Sequence, residues 1–144
     1  MKESITLENY ITANKKYMGR MTDPGLTMPL LANAKKLLQA VNAFLNDLSY
    51  TTTVIVSSGY RPAKTNANVP NASKTSLHMR CMAVDILDDK KQTLATLCSK
   101  HPDLLRKYGL FLEDPASTVG QNTNWTHLDI SDTRSDRPSR IFKP

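Results

Sequence analysis

Between Pro29 and Leu48 apolar residues recur at steps of three and four: Leu30, Leu31, Ala34, Leu37, Leu38, Val41, Phe44, Leu45 and Leu48. Lys35, Lys36, Gln39, Asn42 and Asn46 fall on the other face. That spacing predicts an amphipathic helix with one buried stripe. Pro29 suits its first turn, where no N–H partner is needed. The period then changes. Thr51–Ser57 is rich in β-branched residues and predicts a strand. It stops at the turn Ser58-Gly59-Tyr60-Arg61-Pro62, which opens a polar loop reaching Thr75. A loop of that length inside a compact domain is functional or mobile. Ala83–Leu87 predicts a short strand with Asp85 pointing away from the side of Val84 and Ile86. Residues 90–100 predict a helix with Leu94, Leu97 and Cys98 inward. Asp103–Lys107 reads as a helical turn closed by Tyr108-Gly109. Leu110–Glu113 and Trp125–Ile130 read as strands, separated by a polar stretch.

The ends are less patterned. Residues 3–18 read as partly helical, with Tyr10, Ile11, Tyr17 and Met18 able to pack inward before Gly19 breaks the pattern. Met21–Pro29 reads as a loop, and Ser131–Pro144 as an irregular basic tail. Strands alternating with helices, and neighbouring strands joined as a hairpin, argue an α+β domain. The expected architecture is a small antiparallel sheet with helices packed on one side, in a single domain over 1–144. Its core spans about 28–131, with an extension at each end.

Composition changes this picture little. A chain of 144 residues, 40% of them apolar, suits one soluble domain with one core. No apolar run approaches the ~20 residues of a membrane span. Met1–Glu8 shows no basic stretch followed by an apolar one, so no secretory signal is expected. The expectation is synthesis in the cytoplasm and action at a cell wall after release, or as part of a virion. The net charge of +6 argues first for a solvated surface and second for attraction to an acidic substrate. Lys and Arg are dispersed and aromatic residues are only 6%, so a nucleic-acid partner is not expected. Cys81 and Cys98 form no CxxC pair and read as two reduced, partly buried thiols.

Candidate chemistry lies in Ser76-Leu77-His78-Met79-Arg80-Cys81-Met82-Ala83-Val84-Asp85-Ile86 and in Trp125-Thr126-His127-Leu128-Asp129-Ile130. Two imidazoles and one carboxylate, from His78, Asp85 and His127, are a complete protein ligand set for a catalytic zinc that keeps one position open. Each alone reads equally well as an ordinary core or surface residue. His101, in Lys100-His101-Pro102, fits the surface reading.

Taken together, Ser58-Gly59-Tyr60-Arg61-Pro62, Ser76-x-His78, Ala83-x-Asp85-Ile86 and Trp125-x-His127-x-Asp129 resemble the zinc D-Ala-D-Ala carboxypeptidase and endopeptidase family. That family includes phage and bacterial peptidoglycan hydrolases and vancomycin-resistance dipeptidases, and shares its fold with the hedgehog signalling domain. The resemblance covers roughly residues 30–130. It implies zinc as cofactor, with His78, Asp85 and His127 as ligands, and Arg61 as the residue holding a substrate carboxylate or carbonyl. A guanidinium fork suits that task; the alternative is a solvated loop arginine. Ser76 would add a polar contact to substrate or orient the loop. The implied partner is a peptidoglycan stem peptide acted on by a monomer. The bond cut, and carboxypeptidase against endopeptidase action, stay open.

Three positions depart from the family pattern. Cys81 stands where many members have Gly, and reads as packing rather than as a fourth ligand. Asn71 replaces a frequent loop Gly, a mild change because Asn tolerates left-handed backbone. Asn124 stands where members often carry the acid that serves as general base, three residues before the last His, and it cannot take a proton. Glu113 is the expected replacement, with Asp114 as fallback. If 108–113 and 125–130 pair with Glu113 opposite Trp125, then Phe111 falls opposite His127, and all four share one face. Asp129 has the parity of His127 and is expected to hydrogen-bond a ligand imidazole. The rival to an active peptidase is a catalytically inactive zinc-binding or wall-binding module.

Overall fold

The computed structural model describes residues 3–14, 26–70, 72–73, 75–131 and 139–144. The expectations for Tyr17, Met18, Gly19, most of the 21–29 loop, Asn71 and the tail over 132–138 lie outside them.

The periodic stretch folds as predicted into α2, Met28–Asp47, with the Thr27 hydroxyl accepting the Leu30 N–H and Pro29 in the first turn. It is preceded by a short α1, Leu7–Thr12, capped by Thr6. The remaining elements are β1 (Val56–Ser58), α3 (Ala63–Asn68), β2 (Ala83–Asp88), α4 (Thr93–Ser99), α5 (Pro102–Lys107), β3 (Phe111–Glu113), β4 (Asn124–Asp129) and β5 (Ile141–Phe142). Two 3-10 turns, Leu77–Arg80 and Pro115–Ser117, complete them. The strands form one sheet in the order β1-β2-β4-β3-β5.

The result is the expected α+β domain, with three differences. The predicted strand 51–57 enters the sheet only at Val56–Ser58, where the register with β2 shifts. The polar loop holds a helical turn, α3, whose Asn66 donates to the Ser73 carbonyl at 2.8 Å. The end of the tail is not irregular: β5 pairs with β3, and it does so in parallel, so the sheet is antiparallel except at that edge.

Strand alternation sorts the sheet into two faces. Val84, Ile86, Leu112 and Leu128 turn to a core filled by Leu37, Leu38, Val41, Phe44 and Leu45 of α2, Leu94 and Cys98 of α4, and Leu105 of α5. Asp88 ties α4 to the sheet: its carboxylate accepts the Leu94 and Ala95 N–H groups and the Thr126 hydroxyl. The opposite face carries Ala83, Asp85, Trp125, His127, Asp129, Phe111 and Glu113.

The N-terminal extension joins the core. Ile5 and Tyr10 are fully buried, and the Asn42 side chain makes both backbone hydrogen bonds of Ile5, accepting its N–H at 2.9 Å and donating to its carbonyl at 3.0 Å. Asn42, placed by the sequence on the polar face of the helix, is therefore buried because it serves this strap. Replacing Asn42 by Ala leaves two buried backbone groups without partners. It is expected to cost about 2–3 kcal/mol in urea unfolding; a loss under 0.5 kcal/mol would show the strap to be loosely held.

Candidate metal centre

β2 and β4 pair from Ala83↔Asp129 to Asp88↔Asn124, with Asp85 directly opposite His127. Both side chains stand on the face away from the helices. His78 comes from the 3-10 turn Leu77–Arg80, which reverses the chain into β2. That reversal runs through Cys81, whose backbone is left-handed (φ 56°, ψ 34°). This is the conformation glycine adopts most readily, so the cysteine side chain here is carried at a backbone cost. The Cys81 side chain is fully buried against Tyr10, and burial pushes its thiol up to about 12 despite that hydrogen bond. A neutral, inward-facing thiol is packing, not a metal ligand.

One ligand atom each from His78, Asp85 and His127 lie within 4.8 Å of one another. Hydrogen bonds on the far sides orient both rings. His78 Nδ1 lies 2.9 Å from the Gly59 carbonyl. A carbonyl only accepts, so Nδ1 carries a proton, and Nε2, 3.2 Å from Asp85 Oδ2, is the nitrogen left to face a metal. His127 Nε2 lies 2.9 Å from Asp129 Oδ2, and Nδ1 lies 2.8 Å from Asp85 Oδ1. Asp129 is fully buried and also accepts the Ser131 N–H, so it holds the imidazole as a carboxylate behind a metal-ligating histidine does.

The electrostatics match. Burial pushes the Asp85 carboxyl up, but the charge of His78 and hydrogen bonds from both histidines outweigh it and hold the group well below the usual carboxylate range. Burial pushes His127 down, but Asp129 and Asp85 outweigh it and raise the ring to about 10. The two buried carboxylates thus retain a proton on His127, in the position that faces Asp85. A divalent cation would replace that proton on a donor set of the right type for zinc, so the residues fit the metal.

Arg61 and Ser76 are brought to the same place. Arg61 is 7% exposed, which removes the solvated-loop reading. Its backbone N–H donates to the His78 carbonyl and its guanidinium to Ser76 Oγ at 2.9 Å, while Ser76 Oγ also accepts the His78 N–H. His101 is exposed and starts α5, as the surface reading had it. Cys98 is buried and free, like Cys81.

The β3–β4 register differs from the expected one. Phe111 pairs with Asp129 and Leu112 with Leu128, so Phe111 is not opposite His127 and Glu113 is not opposite Trp125. The slip is two residues. Parity survives, and the register carried one step further sets Glu113 beside His127. Glu113 is also paired with Phe142, whose ring meets His127 edge-on at 5.8 Å. Asp114 caps the following 3-10 turn through the Ala116 N–H. Asn124 has the opposite parity to His127. Its amide spans the β2–α4 connection, donating to the Asp89 carbonyl at 3.2 Å and accepting the Gly120 N–H at 3.3 Å. A cavity of about 590 Å³ between α2, α5 and Arg140 includes none of these donors, so volume does not mark the centre.

The sequence reading missed the far-side support of His78. The Gly59 carbonyl has no residue-type signature, and the groups that hold its turn, the Tyr10 carbonyl and Asn14, lie in a segment with no clean periodicity.

The donor set and its orientation suit a divalent metal ion. A family model described as peptidase M15 matches residues 11–129, and the chain belongs to that family, whose members are metallopeptidases. No curated protein and no solved structure matches the chain significantly. No helix among the described residues is long and apolar enough to cross a membrane.

The pH dependence of the metal-free protein follows from His127. Its folded pKa lies above the unfolded value of about 6.5, so its contribution to stability is complete below that value and is lost as pH rises through about 10. Asp85 behaves oppositely: its contribution is present above about pH 4 and fades as pH falls. The urea midpoint of metal-free protein is expected to fall between pH 7 and 10, and to fall clearly less in His127→Gln. Parallel curves for the two proteins would refute the raised pKa.

Proposed function

We propose that this chain is a zinc metallopeptidase that hydrolyses peptide bonds of peptidoglycan stem peptides, as a phage or bacterial cell-wall lysin. The observation that carries the proposal is the convergence of His78, Asp85 and His127 donor atoms within 4.8 Å in a chain of the peptidase M15 family. His78 through Nε2, Asp85 through a carboxylate oxygen and His127 through Nδ1 would hold the ion. Asp129 and the Gly59 carbonyl would keep the two rings from turning. When bound, zinc supplies Lewis acidity to water and to the scissile carbonyl.

Glu113 is the general base in this reading. Its strand position beside His127 and on the same face supports it over Asp114, which is occupied as a cap. Its carboxylate takes a proton from the attacking water and passes it to the leaving amine. Arg61 and Ser76 form one hydrogen-bonded unit behind His78, suited to a carboxylate or carbonyl of the substrate. The positive surface, +6 overall, favours residence on an acidic wall.

The rival reading, an inactive zinc-binding module, is favoured by Asn124, whose amide is committed to backbone partners. Measurement of new amino termini released from purified peptidoglycan separates the two. With one equivalent of zinc the wild-type protein is expected to release them, and a chelator to stop it. Glu113→Gln is expected to lower kcat about 10²–10⁴-fold with zinc affinity retained. Wild-type protein that binds zinc and releases nothing would leave the module reading standing; an undiminished Glu113→Gln would move the base elsewhere. Arg61→Lys keeps the charge but loses the fork, and is expected to raise KM more than it lowers kcat; an unchanged KM would remove Arg61 from the substrate site.

A further inference from the structure

The carbonyl that orients His78 belongs to a peptide plane that is held from outside the motif. The Gly59 C=O and the Tyr60 N–H are the two ends of one trans peptide, and they point in opposite directions. The C=O accepts His78 Nδ1–H at 2.9 Å. The N–H donates to the Tyr10 carbonyl at 3.2 Å. Tyr10 lies in the last turn of α1, where a helix leaves carbonyls without internal partners.

The preceding peptide is held as well. The Gly59 N–H donates to Asn14 Oδ1 at 2.8 Å, and the Asn14 amide also meets Ser58 Oγ, 3.2 Å from Nδ2 and 3.3 Å from Oδ1. Asn14 is 2% exposed, and among the described residues its side chain bonds to this turn. The approach is close: a Cβ on Gly59 would stand 1.9 Å from the Tyr10 carbonyl oxygen. Only glycine lets α1 come near enough to hold the plane.

We infer that the N-terminal strap Ile5–Asn14 sets the donor geometry of His78: the Tyr10 carbonyl holds the Gly59–Tyr60 peptide, and Asn14 is the positioning residue that locks the turn at the peptide before it. The inference rests on the reading of His78 as a metal ligand. The run of hydrogen bonds is Tyr10 carbonyl, peptide 59–60 and His78 Nδ1. Aligned bonds of this kind polarise one another. The strap therefore fixes the ring orientation that leaves Nε2 facing Asp85, the effect expected of groups behind a metal ligand. It enters before the first motif of the chain, and neither Tyr10 nor Asn14 touches a donor atom directly.

The test uses the full chain, zinc alone as the probe, and two variants. Asn14→Ala removes the lock. Tyr10→Phe removes the Tyr10 hydroxyl, which donates to the Ala83 carbonyl at 2.9 Å, but leaves the Tyr10 carbonyl and Asn14 in place. Zinc affinity is read by chelator competition, and the His78 tautomer, which shows the nitrogen left for zinc, by ¹⁵N chemical shifts of zinc-loaded protein. Asn14→Ala is expected to weaken zinc binding about 10–100-fold and to mix the His78 tautomers. Asn14→Asp, which keeps the acceptor, is expected to recover most of the affinity. Tyr10→Phe is expected to lower the melting temperature with affinity within about twofold. Wild-type affinity and a pure Nδ1–H tautomer in Asn14→Ala would overturn the inference. So would zinc losses in both variants that merely follow their melting temperatures. The wild-type protein gives a check that needs no variant: an Nε2–H tautomer at His78 refutes the inference outright. Wild-type protein that binds no zinc refutes instead the metal-centre reading.

Discussion

The pairing of β2 with β4 carries the rest of the site. Its register is set from the core side, where Val84, Ile86 and Leu128 bury fully or nearly so. Each such side chain is worth about 1.5–3 kcal/mol on burial. A one-residue slip of β2 would expose Val84 and Ile86 and would bury Asp85 among leucines. The cost, on the order of 5 kcal/mol, is comparable to the whole stability of a small domain. Asp85 and His127 therefore meet because their apolar neighbours leave no other register, and the polar face inherits an order that the apolar face enforces. Asp129, one step along β4 on the same face, falls behind the His127 ring for the same reason.

His78 needs a different device, because it lies outside the sheet. The chain must rise from the Arg61–Ser76 region, present an imidazole, and turn at once into β2. The 3-10 turn and the left-handed Cys81 accomplish this within five residues. A left-handed residue with a side chain costs about 1–2 kcal/mol, and here the fully buried thiol offsets part of that cost by filling space beside Tyr10. One side chain from α1 thus meets both the turn that delivers His78 and, through the Ala83 carbonyl, the start of the strand that delivers Asp85.

How much of this is legible in the sequence depends on which physics carries it. The stripe of α2, the parity of Val84, Asp85 and Ile86, and the W-x-H-x-D alternation of β4 are local patterns, and they hold in the structure. What the pattern could not carry is pairing partner and offset. β3 is three residues long, too short to fix its own register, so Glu113 lies two positions from where hairpin reasoning set it. β5 pairs in parallel after a long excursion, and nothing in Ile141-Phe142 announces it. The strand predicted over 51–57 has the right residues, yet only its end finds a partner: Val56–Ser58 in the ladder, and the Ile55 carbonyl accepting the Leu87 N–H. The fold class was therefore readable from periodicity, and the donor set from residue type and order. The supports of that set were not, since they are backbone carbonyls and a buried asparagine.

Parity also explains why the acid of the reaction is free to move in such a site. A residue three positions before His127 on a regular strand points to the other side of the sheet, and Asn124 does so, bound into the β2–α4 connection. For an acid at that position to reach the metal face, the strand would have to bend or start later. Here β4 is regular from Asn124 onward, so the straight strand itself excludes a base there, whatever residue stood at 124. The same regularity keeps the His127 row open toward β3, and Glu113 is the carboxylate which that row meets next. On the proposed reading, an acid on β3 rather than on β4 is the expected companion of a straight strand.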